Sequence, residues 1–169
     1  ICASSAPRRA HRKAAGAYCR HTVHDPHPAM FNPSRDQARH FLFDARRTYR
    51  ERAPLEGLET VAADVMLLHP EYHHILDDPD RFLARDYVPE HGQANPFLHL
   101  SLHLAIEEQL TIDQPPGIRA EFERILARRG DRHDALHAVL ECLGEAIWRA
   151  QRDRTAPDGA AYLECLRHH

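Results

Sequence analysis

Two segments of this sequence carry histidine, histidine and glutamate at intervals of four residues. The two sets are His99, His103 and Glu107 in the first segment, and His133, His137 and Glu141 in the second. Side chains four residues apart lie one above the other on a helix. Imidazoles and carboxylates that project inward from facing helices bind metal ions in helical bundles. The spacing therefore predicts a metal site built from two helices.

A third segment, "HPEYHH", adds another pair of histidines four residues apart. They are His69 and His73, on either side of a kink expected at Pro70. We predict eight metal ligands in descending order: His99, His103, His137 and Glu141 as the main set, Glu107 and His69 next, and His73 and His133 in reserve. Nitrogen and carboxylate donors without thiolate indicate one or two divalent transition-metal ions, namely iron, zinc or manganese.

The surroundings of the first pair favour burial. His99 and His103 lie in "NPFLHLSLHLAIEEQL", which is apolar nearly all round and so typical of a central helix. Buried imidazoles need polar partners, and a metal or a carboxylate provides one. The alternative is a buried histidine hydrogen-bond network in a non-enzymatic helical interaction module.

The cysteines do not form a recognisable metal or redox motif. Cys2, Cys19, Cys142 and Cys165 include no Cys-x-x-Cys pair, so we expect neither a disulfide framework nor a thiolate zinc site. Cys142 is expected in the core. No apolar run approaches the roughly 18 residues that a membrane helix needs. These observations predict a cytoplasmic protein with reduced cysteines and no membrane association.

Length and charge limit the domain organisation and the partners. The 169 residues suit one domain, and 15 of them are histidines. Residues 1–29 lack periodicity, and we expect a disordered leader upstream of a natural start at Met30, followed by a single domain over residues 30–169. That domain carries 17 basic and 24 acidic residues, a net charge of −7, which does not suit nucleic acid.

Helical spacing continues through residues 30–169, without the alternation of strands. The fold class predicted is all-α, a compact bundle of about five to seven helices. Expected N-caps are Asn32 or Ser34, then Asn95 before Pro96, and Asp131; Gly130 should end the preceding helix.

Four blocks carry a resemblance to a known family: "FNPSRDQARHFLFDA", "LLHPEYHHIL", "NPFLHLSLHLAIEEQLTIDQPPGIR" and "HDALHAVLECLGEAIW". Together they resemble a small proteobacterial family catalogued as domain-of-unknown-function family 1841, over about residues 30–167. The family name implies no activity. At the level of fold, the chain is also similar to the DinB-like metal-binding helical bundles, which carry a His-x3-His pair on one helix.

The sequence thus predicts a cytoplasmic helical metal-binding protein with a histidine and glutamate site. A metal-dependent hydrolase or oxidoreductase is one version, and whether the protein is an enzyme stays open. A small-molecule substrate and a protein partner also remain open, as does the oligomeric state.

Overall fold

The computed structural model describes residues 34–87 and 94–169, all within one compact unit. The described residues form helices and no strand. The helices are α1 (Arg35–Arg50), α2 (Leu58–Leu68), α3 (His73–Leu76), α4 (Pro79–Phe82), α5 (Pro96–Ile112), α6 (Ile118–Arg129), α7 (Arg132–Asp153) and α8 (Gly159–Arg167), with a 3-10 turn at Pro70–Tyr72. The all-α prediction is confirmed. The prediction of a leader over residues 1–29 lies outside the described residues.

Side-chain caps begin the long helices where the sequence predicts them. Ser34 caps α1 in a capping box, in which its hydroxyl accepts from the Gln37 backbone N–H and the Gln37 side chain accepts from the Ser34 N–H. The Asn95 side chain accepts two backbone N–H groups at the start of α5. Asp131 caps α7, and Gly130 ends α6 in the left-handed conformation.

Helix α5 separates two hydrophobic cores. Its first half packs with α1, α2, α3 and α4 through residues such as Leu100 and Leu104, and its second half packs with α6, α7 and α8 through Ile106 and Leu110. The central position predicted for this helix is confirmed. His103, which projects from the middle of α5 between the two cores, is therefore fully enclosed.

The expectation that the cysteines are reduced was wrong for Cys142 and Cys165. Cys142 on α7 and Cys165 on α8 form a disulfide, with their Cα atoms 5.8 Å apart and a sequence separation of 23. The two helices fold back on each other, so residues distant in sequence meet; no local motif signals this contact. Cys142 nevertheless lies in the core, as predicted. Among the described helices, none is long and apolar enough to cross a bilayer.

Candidate metal centre

Five histidines from three helical elements meet in the interior of the bundle. They form what we call the histidine cluster: His69, His99, His103, His133 and His137. His69 follows α2, the next two project from α5, and the last two from α7. Ring centroids of neighbouring members lie 4.3–5.9 Å apart. The cluster unites all three segments in which the sequence shows paired imidazoles.

His69 reaches the cluster because α2 ends there. Pro70 cannot continue the helix, and His69 adopts φ −125° and ψ 64°, outside the helical region, as its sequence context predicts. Its side chain is 1% exposed. The break in the backbone therefore directs an imidazole inward toward α5 and α7.

The spacing of the ring nitrogens suits a single ion. One nitrogen from each of His69, His99, His103 and His137 lies within 4.8 Å of the others. His69 Nε2 is 3.2 Å from His133 Nε2. Two nitrogens that bind one tetrahedral zinc ion at about 2.0–2.1 Å each are about 3.3 Å apart. The rings thus need only small shifts to converge on one ion.

Several of these nitrogens are buried without a hydrogen-bond partner. They are Nε2 of His99, both ring nitrogens of His103, and Nε2 of His137. His103 is 0% exposed. Leaving a buried polar group unsatisfied costs about 1–3 kcal/mol. Three imidazoles of one cluster thus each have a buried ring nitrogen that no other protein atom satisfies.

Glu71 orients the ring of His69. Its carboxylate lies 3.0 Å from His69 Nδ1, which donates to it, so that the lone pair of Nε2 faces the other imidazoles. Metal-binding histidines commonly donate their second N–H to a carboxylate in this way. Tyr72 stacks on His69, at 5.6 Å between ring centroids, and meets the ring of His99 edge-on. The "PEY" turn thus supports the cluster.

Burial favours the neutral form of His69, His99, His103 and His137. Burial, followed by the neighbouring imidazoles, lowers the pKa of His103 to about 3 and that of His99 to about 4. Burial also lowers the pKa of His69 and of His137. Burial acts to raise the pKa of the Glu71 carboxyl, but its hydrogen bond with His69 and nearby groups outweigh this effect, and the pKa is lowered. Neutral imidazoles beside an ionised carboxylate are the protonation states in which these groups bind metal.

The metal-free protein is expected to lose stability as the pH falls below about 6.5, the pKa of a histidine in an unfolded chain. Between that pH and about 4, the unfolded chain binds protons that folded His99 and His103 do not bind. Each such histidine lowers the free energy of unfolding by about 1.4 kcal/mol per pH unit. Well above pH 6.5, His99 and His103 are neutral in both the folded and the unfolded state and contribute no pH dependence.

Urea denaturation in the presence of a chelator at pH 7.5, 6.0 and 5.0 measures this effect. A His103→Leu variant serves as the control and should show a shallower loss. Equal stability at all three pH values in the parent protein would contradict the interpretation.

Glu107 does not join the cluster. Its two carboxylate oxygens accept from Arg132 at 2.7 and 2.8 Å, which ties α5 to α7 beside the cluster. A helix turns by about 100° per residue, so a position eight residues beyond His99 is about 80° away from it around the axis. Glu107 therefore does not lie on the face of α5 from which His99 and His103 project into the cluster, although the spacing predicted a shared face.

Glu141 and His73 also lie outside the cluster. The Glu141 side chain is 70% exposed, because the same rotation carries it away from the face of His133, and its carboxylate lies 4.0 Å from His169 Nε2. His73 Nε2 donates to the Met66 carbonyl at 2.8 Å and so satisfies the end of α2. The sequence ranked His133 in reserve, yet the structure brings its ring among the other four. Neither Glu71 nor Tyr72 was singled out, although both lie within the "HPEYHH" block.

Comparison with known proteins gives one match. The sequence model of a family described as a domain of unknown function (DUF1841) matches residues 34–168, nearly all of the described part of the chain. No curated protein and no solved structure matches the chain.

Proposed function

We propose, for a chain that belongs to the DUF1841 family, that the protein binds one divalent transition-metal ion through its histidine cluster. In this proposal His69, His99, His103 and His137 are the ligands, and His133 is a fifth imidazole beside the ion. The observation that carries it is the set of buried ring nitrogens without partners, because a bound ion would satisfy one nitrogen on each of His99, His103 and His137 together.

The alternative, a histidine hydrogen-bond network in an interaction module, has less support. Such a network would pair the buried nitrogens with one another, and only the contact between His69 and His133 has hydrogen-bond length. Both ring nitrogens of His103 stay unpaired at the centre. If the cluster had only a structural role, these buried ring nitrogens would therefore stay without hydrogen-bond partners, which is energetically unfavourable.

The ligand set favours zinc or iron over manganese. Imidazole nitrogen suits zinc and iron, whereas manganese prefers carboxylate and other oxygen donors. Glu107, the half-buried carboxylate next to the cluster, is held by Arg132. Without a carboxylate to bridge two ions, the arrangement supports one ion rather than two.

Catalysis would depend on coordination number. Four imidazoles around zinc would form a closed site, whereas iron held by the same four imidazoles could accept further ligands such as a substrate or dioxygen. Iron would thus support an oxidoreductase, and zinc a binding or structural role. A cytoplasmic location, a small-molecule substrate and a protein partner remain predictions from the sequence.

Metal analysis tests this proposal directly. Untagged full-length protein, stripped with a chelator and reconstituted separately with ferrous iron or zinc, is expected to bind one equivalent by plasma mass spectrometry. A His103→Ala variant should lose it. The matched control is a His40→Ala, His74→Ala double variant, which removes two exposed imidazoles outside the cluster and should keep full metal content.

Two results would overturn the proposal. The first is a folded parent protein that binds neither metal after reconstitution. The second is equal metal content in the parent and the His103→Ala variant, which would assign the bound ion to other residues.

A further inference from the structure

A second group of metal-binding side chains lies between α7 and α8. Ligand atoms of Cys142, Cys165 and His169 lie within 4.8 Å of one another. None of these residues belongs to the histidine cluster. The two sulfur atoms are joined in a disulfide, and the imidazole lies beside them.

The helices position these three side chains independently of any ion. Cys142 is 1% exposed in the core beneath α8. Cys165 lies in the last turn of α8, and His169 follows the helix C-cap, where its backbone N–H donates to the Leu166 carbonyl at 3.2 Å and keeps the end of the chain close to the helix. This Cys-x3-His pair faces a third ligand from another helix, an arrangement typical of zinc sites.

His169 uses one ring nitrogen as an acceptor, the role in which it would bind a cation. Its Nδ1 lies 3.2 Å from Arg129 Nη2, and because a guanidinium only donates, this nitrogen accepts. Its Nε2 lies 4.0 Å from the Glu141 carboxylate. A zinc-binding histidine needs a lone pair on one nitrogen and benefits from a carboxylate near the other.

We propose that Cys142, Cys165 and His169 bind a zinc ion when the cysteines are reduced, and that the disulfide is the oxidised state of the same site. Zinc would replace Arg129 at Nδ1 of His169, and Glu141 would orient the ring. Thiolates suit zinc, with bonds of about 2.3 Å, and solvent would complete the coordination at this partly exposed position.

The two states interconvert by a balanced reaction. A dithiol reductant transfers two electrons and two protons to the disulfide, yielding two thiols and its own disulfide. Zinc binding then releases both thiol protons to solvent as two thiolate–zinc bonds form. Oxidation by a disulfide of the same class reverses the exchange and releases zinc. The site would thus bind metal only under reducing conditions.

Cobalt(II) distinguishes this site from the histidine cluster, since only thiolate ligands give sulfur-to-cobalt charge-transfer absorption. The experiment uses the full chain with Cys2→Ser and Cys19→Ser, so that Cys142 and Cys165 are the remaining cysteines. After reduction with a phosphine, we expect the intensity of the band to correspond to one thiolate-bound cobalt ion. The band should saturate at two equivalents of added cobalt if the histidine cluster also binds an ion, and at one equivalent if it does not. Zinc should then abolish it. The oxidised protein should show no band.

A His169→Ala variant tests the third ligand, and we expect its cobalt affinity to fall by more than about tenfold, the loss that even an outer partner of a ligand causes. A reduced protein that keeps its helical circular dichroism but shows no band would overturn the proposal. So would loss of the helical fold on reduction, or an unchanged affinity in the His169 variant. Failure of the histidine cluster to bind metal would leave the band itself unchanged, because the band requires sulfur, and would lower only the total amount of cobalt that the protein takes up.

Discussion

Replacement of His103 by leucine is expected to abolish metal binding and, at the same time, to stabilise the metal-free protein. His103 is fully buried, and neither of its ring nitrogens has a partner. Leucine has a similar volume and no polar atom, so the change removes the desolvation cost of the imidazole, about 1–3 kcal/mol. The free energy of unfolding, measured by urea denaturation with a chelator present, should rise by that order.

The combination of the two effects makes this variant informative. A residue whose role is only structural would give lower stability when replaced, without a change in metal content. The control is His40→Leu, which alters an exposed imidazole on α1 and should change neither property appreciably. A His103→Leu protein that is less stable than its metal-free parent would show that the imidazole contributes to the packing of the apo state.

Replacement of Glu71 by glutamine is expected to weaken metal binding by about 10–100-fold without changing the stoichiometry, as for other carboxylates that support a metal-binding histidine. The Glu71 carboxylate accepts from His69 Nδ1 and so directs Nε2 toward the cluster. A neutral amide would hold the ring less firmly and make it less basic. Competition with a chromogenic chelator measures the change in affinity.

Glu59→Gln is the matched control, because Glu59 is a partly buried acid in the first turn of α2, at the opposite end of the helix from His69. It should leave the affinity unchanged. Equal affinities for the Glu71→Gln variant and the parent would remove Glu71 from the site. Loss of the metal by both variants would instead indicate a general effect of α2 stability.

Local sequence patterns predict where the helices lie and which histidines form most of the cluster. Apolar spacing and capping residues such as Ser34, Asn95 and Asp131 act over a few residues, so they fix where a helix begins without reference to the rest of the chain. Pro70 likewise explains why α2 ends at His69. The central position of α5 followed from its nearly uniform apolar surface.

Which polar side chains come into contact with one another depends on how the helices pack, and local spacing does not predict these contacts. Glu107 and Glu141 have the same local spacing as the histidines, yet helix rotation and the ion pair with Arg132 keep them out of the cluster. The roles of Glu71 at the cluster and of Cys165 opposite Cys142 depend on how a turn and two helices pack. Spacing along one helix fixes the directions of side chains only relative to that helix. Contacts between helices depend on their rotation and approach, which are set by packing over the whole core.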